Sequence, residues 1–136
     1  MLTGLDYIYY VYVMKPATPI GQFEQVVLTA VLALAENAYG VTIHAEVGRL
    51  LAPKPVSLGA VYATLDRLEE KTLITSWLSD PTPERGGRSK RHFRLQSSGE
   101  RALRESVAAS RRVCETVEGI WSSLPASSGR RWKPVR

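Results

Sequence analysis

The chain has 136 residues, 44% of them hydrophobic, and its 18 lysines and arginines against 13 acidic residues give a formal net charge of +5. This size and composition are typical of one globular domain, and the positive charge favours an anionic partner. One cysteine and two histidines exclude an internal disulfide framework and a zinc site, and no apolar run is long enough to span a bilayer. The sequence therefore predicts a cytoplasmic protein without metal or cofactor.

Residues 1–20 are predicted to be a leader that precedes the folded domain. Four of the six tyrosines lie within residues 1–13, in a run with high β propensity and almost no charge. This run is either an aromatic arm that packs on the body or on a partner subunit, or an extension upstream of a natural start at Met14. We favour the extension, because Met14-Lys15-Pro16 is typical of the irregular start of a domain.

Two helices are predicted next, over residues 22–37 and 41–51. The first is apolar on almost every side, which indicates that one face meets the core and another meets a second surface, most simply a second subunit. Phe23 and Val27 are assigned to that dimer contact. The second helix ends before Pro53 and Pro55, since neither proline can continue it.

A third helix, capped by Ser57 and running to Glu70, is the centre of the prediction. Its buried face is expected to carry leucine or valine at i, i+3, i+7 and i+10, namely Leu58, Val61, Leu65 and Leu68. The opposite face has small side chains near its start, as a helix needs if it is to lie deep in a DNA groove. The residues assigned to the DNA contact are Ser57, Gly59, Ala60, Tyr62, Ala63, Thr64 and Arg67.

Residues 73–79 and 91–95 are predicted to form the two strands of a hairpin. The loop between them is polar and contains a glycine pair, and the stretch from Arg85 to Arg94 carries five basic residues and no acidic one. Next to a helix whose outward face has small side chains, such a basic loop indicates binding of a polyanion. A basic hairpin without this helix would more simply be a solvated surface. The predicted contacts of this loop, or wing, are Arg85, Gly86, Gly87, Arg88, Lys90 and Arg91.

The last predicted helix, residues 96–124, has the Ser97 to Glu100 spacing of a capping box and an apolar seam at alternating steps of four and three. The seam is short and is interrupted by Ser110, so we expect it to dimerise together with the first helix; the alternative is a stripe packed on its own domain. The residues assigned to dimerisation are Phe23, Val27, Leu103, Val107, Cys114, Val117, Trp121 and Leu124. Residues 125–136 are predicted to be a basic tail.

The order helix, short helix, turn, helix and hairpin predicts a winged helix-turn-helix domain over residues 21–95, in a mainly α protein with a small β-hairpin wing and a long C-terminal dimerisation helix. Three stretches resemble the PadR-like transcriptional regulators: Tyr39-Gly40-Val41, the helix from Leu58 to Glu69, and Gly86-Gly87-Arg88. The resemblance covers about residues 20–124. It implies a homodimeric DNA-binding protein, usually a repressor, in which Tyr62 lies near a phosphate and the C-terminal helices are exchanged.

The sequence therefore predicts a sequence-specific transcriptional regulator that binds double-stranded DNA as a homodimer on a pseudo-palindromic operator. A winged helix that serves only as a protein-interaction module is the alternative, and Asp66 and Glu70 are the only features that favour it. No combination of residues supports an enzyme. A small-molecule effector stays open, but a planar hydrophobic one is not expected, because the resemblance places aromatic residues where this chain has Ser110.

Overall fold

The computed structural model describes residues 3–5, 16–79 and 89–125. The tyrosine-rich run, apart from residues 3–5, lies outside the described residues, as do most of the wing and residues 126–136. The described elements are α1 (Gln22–Leu34), a 3-10 turn (Ala35–Asn37), α2 (Gly40–Leu51), α3 (Leu58–Glu70), β1 (Ile74–Leu78), β2 (Arg91–Leu95) and α4 (Ser97–Ser123). The predicted fold class, mainly helical with one small hairpin and a long last helix, is confirmed.

The core lies where α1, α2, α3 and the hairpin meet, and the start of α4 closes it. Its largest fully buried side chains are Phe93, Leu28, Ile43, Leu65, Leu68, Leu73 and Ile74. Helix α1 contacts α2, α3, α4 and β2, which explains why it is apolar on almost every side. Val27 and Leu103 are 0% and 6% exposed inside this core, so their assignment to a dimer contact is wrong. Phe23 is partly buried against the same core.

Helix α3 buries a slightly different face from the predicted one. Val61, Leu65 and Leu68 are fully buried as expected, but Leu58 is 41% exposed at the first position of the helix, where it projects past the core. Thr64 is only 3% exposed, since it lies three residues after Val61 and four before Leu68 and so shares their face. The predictions that Leu58 is buried and that Thr64 faces outward are therefore wrong.

The hairpin is antiparallel, with Ile74 opposite Leu95 and Leu78 opposite Arg91. It is joined to the connection between α1 and α2, where the Phe93 N–H donates to the Ala38 carbonyl at 2.9 Å. The base of the hairpin is thus fixed to the same core that supports α3.

Helix α4 begins one residue earlier than the capping-box prediction requires. Gln96 is the N-cap, and Ser97 already lies within the helix, so the predicted Ser97 to Glu100 box is wrong. The start of α4 is held instead by the segment before β1, because the Ser98 hydroxyl donates to the Thr72 carbonyl at 2.7 Å. Within the described ranges no helix is both long and apolar enough to cross a membrane.

The two halves of α4 have different surroundings. Ala102 and Leu103 are buried against the body, whereas Val113, Ile120 and Trp121 are 63%, 55% and 68% exposed. The second half therefore extends away from the body with its large apolar side chains uncovered by the described part of the chain.

One buried carboxylate connects the start of α1 to the end of α3. Glu24 is 7% exposed, and its carboxylate accepts hydrogen bonds from the Gly21 N–H at 2.9 Å and from Lys71 Nζ at 2.8 and 3.1 Å. Burial raises the pKa of Glu24, but the hydrogen bonds from Gly21 and Lys71 and the charges of Lys71 and Arg67 outweigh it, so the net pKa lies below its ordinary value.

This lowered pKa predicts an acid-sensitive contribution to stability. A carboxyl whose pKa is lower in the folded than in the unfolded chain stabilises the fold above its unfolded pKa, and that contribution is lost as the pH falls through the folded pKa. We expect Glu24→Gln to lower the free energy of unfolding by about 1 to 2 kcal/mol at pH 7, and by progressively less below about pH 5. Urea denaturation of both proteins across this range measures the difference. If the two stability curves stay parallel as the pH falls, Glu24 does not have a lowered pKa.

Candidate nucleic-acid interface

The outward surface of α3 is shaped by small residues. Six of the seven residues predicted for the DNA contact are exposed there, the exception being Thr64: they are Ser57, Gly59, Ala60, Tyr62, Ala63 and Arg67. The Ser57 hydroxyl caps the helix by accepting from the Ala60 N–H at 3.1 Å, as predicted. A Cβ added to Gly59 would meet no atom within 4 Å, so this part of the surface is open. Another macromolecule can therefore approach close to the backbone of α3.

The Tyr62 side chain extends from α3 and packs against Gly40, the first residue of α2. A Cβ on Gly40 would lie 2.0 Å from the Tyr62 hydroxyl oxygen, so only glycine permits this contact. The first N–H groups of a helix have no intrahelical acceptor and attract anions. Among the described residues the Tyr62 hydroxyl has no hydrogen-bond partner. A hydroxyl donor and the N-terminus of α2 thus stand side by side.

The foot of the hairpin completes a cleft of about 570 Å³ around this point. The residues that line it are Tyr39, Gly40, Val41, Tyr62, Ser89, Lys90 and Arg91. The Lys90 ammonium lies 3.7 Å from the centroid of the Tyr39 ring, a cation–π contact. The backbone of Lys90 is paired with Ser79, whose N–H donates to the Lys90 carbonyl at 2.8 Å. One basic side chain is therefore held at the cleft by the hairpin.

Arg91, also predicted as a wing contact, is engaged by acidic residues of α3. Its guanidinium forms an ion pair with Glu69 and lies 3.8 Å from a carboxylate oxygen of Asp66. Its Nε donates to the Ser76 hydroxyl at 3.1 Å. The other predicted wing residues, Arg85, Gly86, Gly87 and Arg88, lie outside the described residues.

The start of α2 was not predicted from the sequence as part of this surface. The signal for it was present in Tyr39-Gly40 followed by Thr42, because the Thr42 hydroxyl accepts from the Tyr39 N–H at 3.1 Å and fixes the first turn. His44 supports the same region, since its Nε2 lies 2.7 Å from the Val56 carbonyl in the turn before α3. In the ranges that the structure describes, no group of three or more histidine, cysteine or acidic residues could hold a metal ion.

Most of the predicted seam is exposed over the second half of α4, namely Cys114, Trp121 and Leu124, whereas Val117 is half-buried. Val107 is partly buried against the core, so the seam starts on the body and continues beyond it. The Ser110 hydroxyl donates to the Gln25 side-chain oxygen of α1 at 3.4 Å, so this position of the seam lies near α1 of its own chain.

Comparison with known proteins agrees with this architecture. Residues 28–105, more than half of the chain, match the model of the transcriptional regulator PadR-like family. No curated protein sequence matches the chain significantly. Among solved structures, a PadR family transcription regulator from Clostridium difficile is 24% identical, with a TM-score of 0.60 over 74% of this chain and 99% of that one.

Two further solved structures are similar. A PadR-like transcription factor from Bacteroides fragilis is 27% identical, with a TM-score of 0.57 over 74% of this chain and 90% of that one. A PadR-like regulator from Bacillus cereus is 20% identical, with a TM-score of 0.60 over 74% and 92% of the two chains. From the family match and the winged helix-turn-helix fold, we conclude that the chain belongs to the PadR-like family and is a DNA-binding transcriptional regulator.

Proposed function

We propose that this regulator is a homodimeric repressor that binds a pseudo-palindromic operator with one α3 helix and one wing from each subunit. The observation that carries the proposal is the exposed, small-faced surface of α3 beside the cleft formed by Tyr62, the start of α2 and Lys90. A dimer bound to two successive half-sites would cover promoter DNA. Repression is therefore the simplest expected effect on transcription.

The surface of α3 fits a major groove. That groove is about 12 Å wide and admits one helix. Gly59, Ala60 and Ala63 let the backbone of α3 approach the bases, while Ser57 and Arg67 supply a hydroxyl and a guanidinium that can reach base edges or phosphates. Few long polar side chains lie on this surface, so we expect phosphate contacts to supply most of the affinity.

The cleft beside α3 fits one phosphate of the flanking backbone. The Tyr62 hydroxyl, the first amides of α2 and the Lys90 ammonium all offer donors or positive charge there. Backbone amides at a helix start and a nearby ammonium are typical partners of a DNA phosphate. Such a contact would fix the position of α3 in the groove without reading sequence.

The exposed half of α4 supports a dimer. Val113, Ile120 and Trp121 are each more than half exposed on one helix, which is more apolar surface than a helix in water needs. A second copy of the same helix, related by a two-fold axis, would cover it. Two α3 helices related in this way would reach half-sites about 34 to 36 Å apart.

The interaction-module alternative depends on acidic side chains of α3, and the structure weakens it. Asp66 faces the Arg91 guanidinium at 3.8 Å, so its charge is partly neutralised within the chain. The surface that remains around Gly59 and Ala63 is small-residued and not acidic. This arrangement favours DNA over a basic protein partner.

The experiment that tests the proposal is binding of the purified protein to a fluorescent duplex from the region upstream of its own coding sequence. We expect binding of two protomers per site, a preference over random-sequence competitor, and a log–log salt slope of about −0.9 per neutralised phosphate. Equal binding to the competitor would contradict sequence-specific regulation and favour the interaction module.

The phosphate contact gives a more specific prediction. We expect Tyr62→Phe to weaken binding about ten- to a hundredfold through loss of one hydrogen bond to a charged group. The loss should be equal on the upstream and the random-sequence duplex, because phosphate contacts carry no sequence information. Tyr39→Phe is the control, since it keeps the ring beneath Lys90 and should bind normally. A changed preference between the two duplexes in Tyr62→Phe would show that this hydroxyl reads a base.

A further inference from the structure

Arg91 joins the first residue of β2 to the recognition helix α3. It pairs with Glu69, faces Asp66 at 3.8 Å, and donates from Nε to the Ser76 hydroxyl at 3.1 Å. Ser76, in β1, itself donates to the second carboxylate oxygen of Glu69 at 2.6 Å. The four side chains therefore form one network that connects both strands of the hairpin to one side of α3.

In this network the N–H donors of the Arg91 guanidinium, which a phosphate contact would need, are directed at protein acceptors. Both terminal nitrogens of the Arg91 guanidinium face carboxylates and its Nε is bonded to Ser76. The two carboxylates lie one helical turn apart, on a helix that we place in a DNA groove. Without Arg91 they would be uncompensated negative charges beside a polyanion.

We propose that Arg91 is a positioning residue and not a phosphate contact: it fixes the hairpin to α3 and neutralises Asp66 and Glu69. This inference rests on the proposed use of α3 and the wing as the DNA surface. It assigns the neighbouring Lys90 a different role, because the Lys90 ammonium has no acidic partner among the described residues and lies over Tyr39 at the cleft. Arg91 thus fixes the start of β2, and Lys90, the residue before it, reaches the DNA backbone.

The proposal requires arginine at position 91. A guanidinium can pair with Glu69 while its Nε donates to Ser76, whereas a lysine ammonium is a single point charge that cannot reproduce this fork. A phosphate, by contrast, accepts from either residue. Because arginine can also bind a phosphate through two N–H groups, the arginine-to-lysine substitution separates the two roles only together with a charge exchange between Arg91 and Glu69.

The test compares Arg91→Lys and Arg91→Ala by fluorescence anisotropy on the upstream duplex and on a random-sequence duplex at low salt. We expect both variants to bind about tenfold more weakly than the unchanged protein, which corresponds to loss of about one charged contact. The matched control is Lys90, where arginine should keep the affinity and alanine should lower it. If Arg91→Lys binds as tightly as the unchanged protein, Arg91 is a phosphate contact and the proposal fails.

A charge exchange supplies the second measurement. Glu69→Arg combined with Arg91→Glu keeps the net charge, restores an ion pair between the hairpin and α3, and leaves Asp66 beside a new arginine. We expect the double variant to recover most of the DNA affinity that Arg91→Glu alone loses. A double variant that binds as weakly as Arg91→Glu would contradict the positioning role.

Circular dichroism checks that each variant folds, and exposed ion pairs are expected to affect folding little. If the unchanged protein shows no preference for the upstream duplex, the proposed function fails, while the random-sequence duplex still tests Arg91.

Discussion

Replacement of Gly99 by alanine is expected to destabilise the protein by about 3 kcal/mol, a large value for the addition of one methyl group. Gly99 lies in the first turn of α4, where a Cβ would stand 2.0 Å from the Leu73 carbonyl oxygen and 3.0 Å from its carbon. This neighbour is backbone and cannot rotate away as a side chain would. The same carbonyl accepts the Gln96 N–H at 2.9 Å, so a shift of α4 would also break this bond. Urea denaturation followed by circular dichroism measures the loss.

Gly48→Ala is the matched control for this prediction. Gly48 lies within α2, and a Cβ there would meet no atom within 4 Å. Alanine in an open helical position is favoured over glycine by up to about 1 kcal/mol, so this variant should be more stable than the unchanged protein. A Gly99→Ala variant as stable as the unchanged protein would show that α4 does not pack against the segment before β1 as described.

The local pattern of apolar residues was sufficient to place the helices and the hairpin. The limits of α3 and β2 follow from the Ser57 cap and from the strand pattern around Phe93, both of which are local signals. The rotation of α3 was predicted less well, because Thr64 is polar by composition yet shares the buried face with Val61 and Leu68. A threonine carries a methyl group and can be buried, so hydrophobicity alone did not identify its orientation.

Contacts between residues far apart in the sequence could not be predicted from the local pattern of residue types. Val27 and Phe23 lie on the same apolar helix, and only the positions of α3 and α4 decide that Val27 is fully buried within its own chain. Likewise, Lys90 and Arg91 are neighbouring basic residues at the junction between the loop and β2. The acidic partners of Arg91 lie more than 20 residues earlier, on α3, and therefore could not be inferred from the charge of the loop.

The DNA affinity of the α3 surface is expected to depend on dimerisation through the exposed half of α4. One α3 helix offers few long side chains for base contacts, so a single subunit has little affinity to gain from one half-site. Two linked subunits gain from the second half-site as an intramolecular event, which raises the overall affinity by a factor of about 100 to 10,000. If the proposed dimer forms through α4, its apolar surface would therefore affect DNA binding although it lies outside the DNA surface.

We accordingly expect Trp121→Glu to convert the proposed dimer to a monomer and to weaken binding to the upstream duplex about 100-fold or more. Trp121 is 68% exposed in the single chain and belongs to the apolar seam of α4, so a carboxylate there would be buried without a partner in a dimer. The fold itself should persist, because the core lies at the other end of α4. Sedimentation equilibrium measures the mass, and fluorescence anisotropy measures the DNA affinity.

Ser122→Glu introduces the same charge one residue further along, about 100° around α4 from Trp121 and on the flank away from Ile120, and is the matched control. Ser122 is exposed and its hydroxyl donates to the Glu118 carbonyl within its own helix at 2.8 Å. This variant should therefore stay dimeric and bind DNA normally. A Trp121→Glu protein that remains dimeric would place the subunit contact on another surface. A monomeric variant that binds the operator at full strength would instead show that one subunit is sufficient, and would contradict the proposed two-fold site, which needs two recognition helices for tight binding.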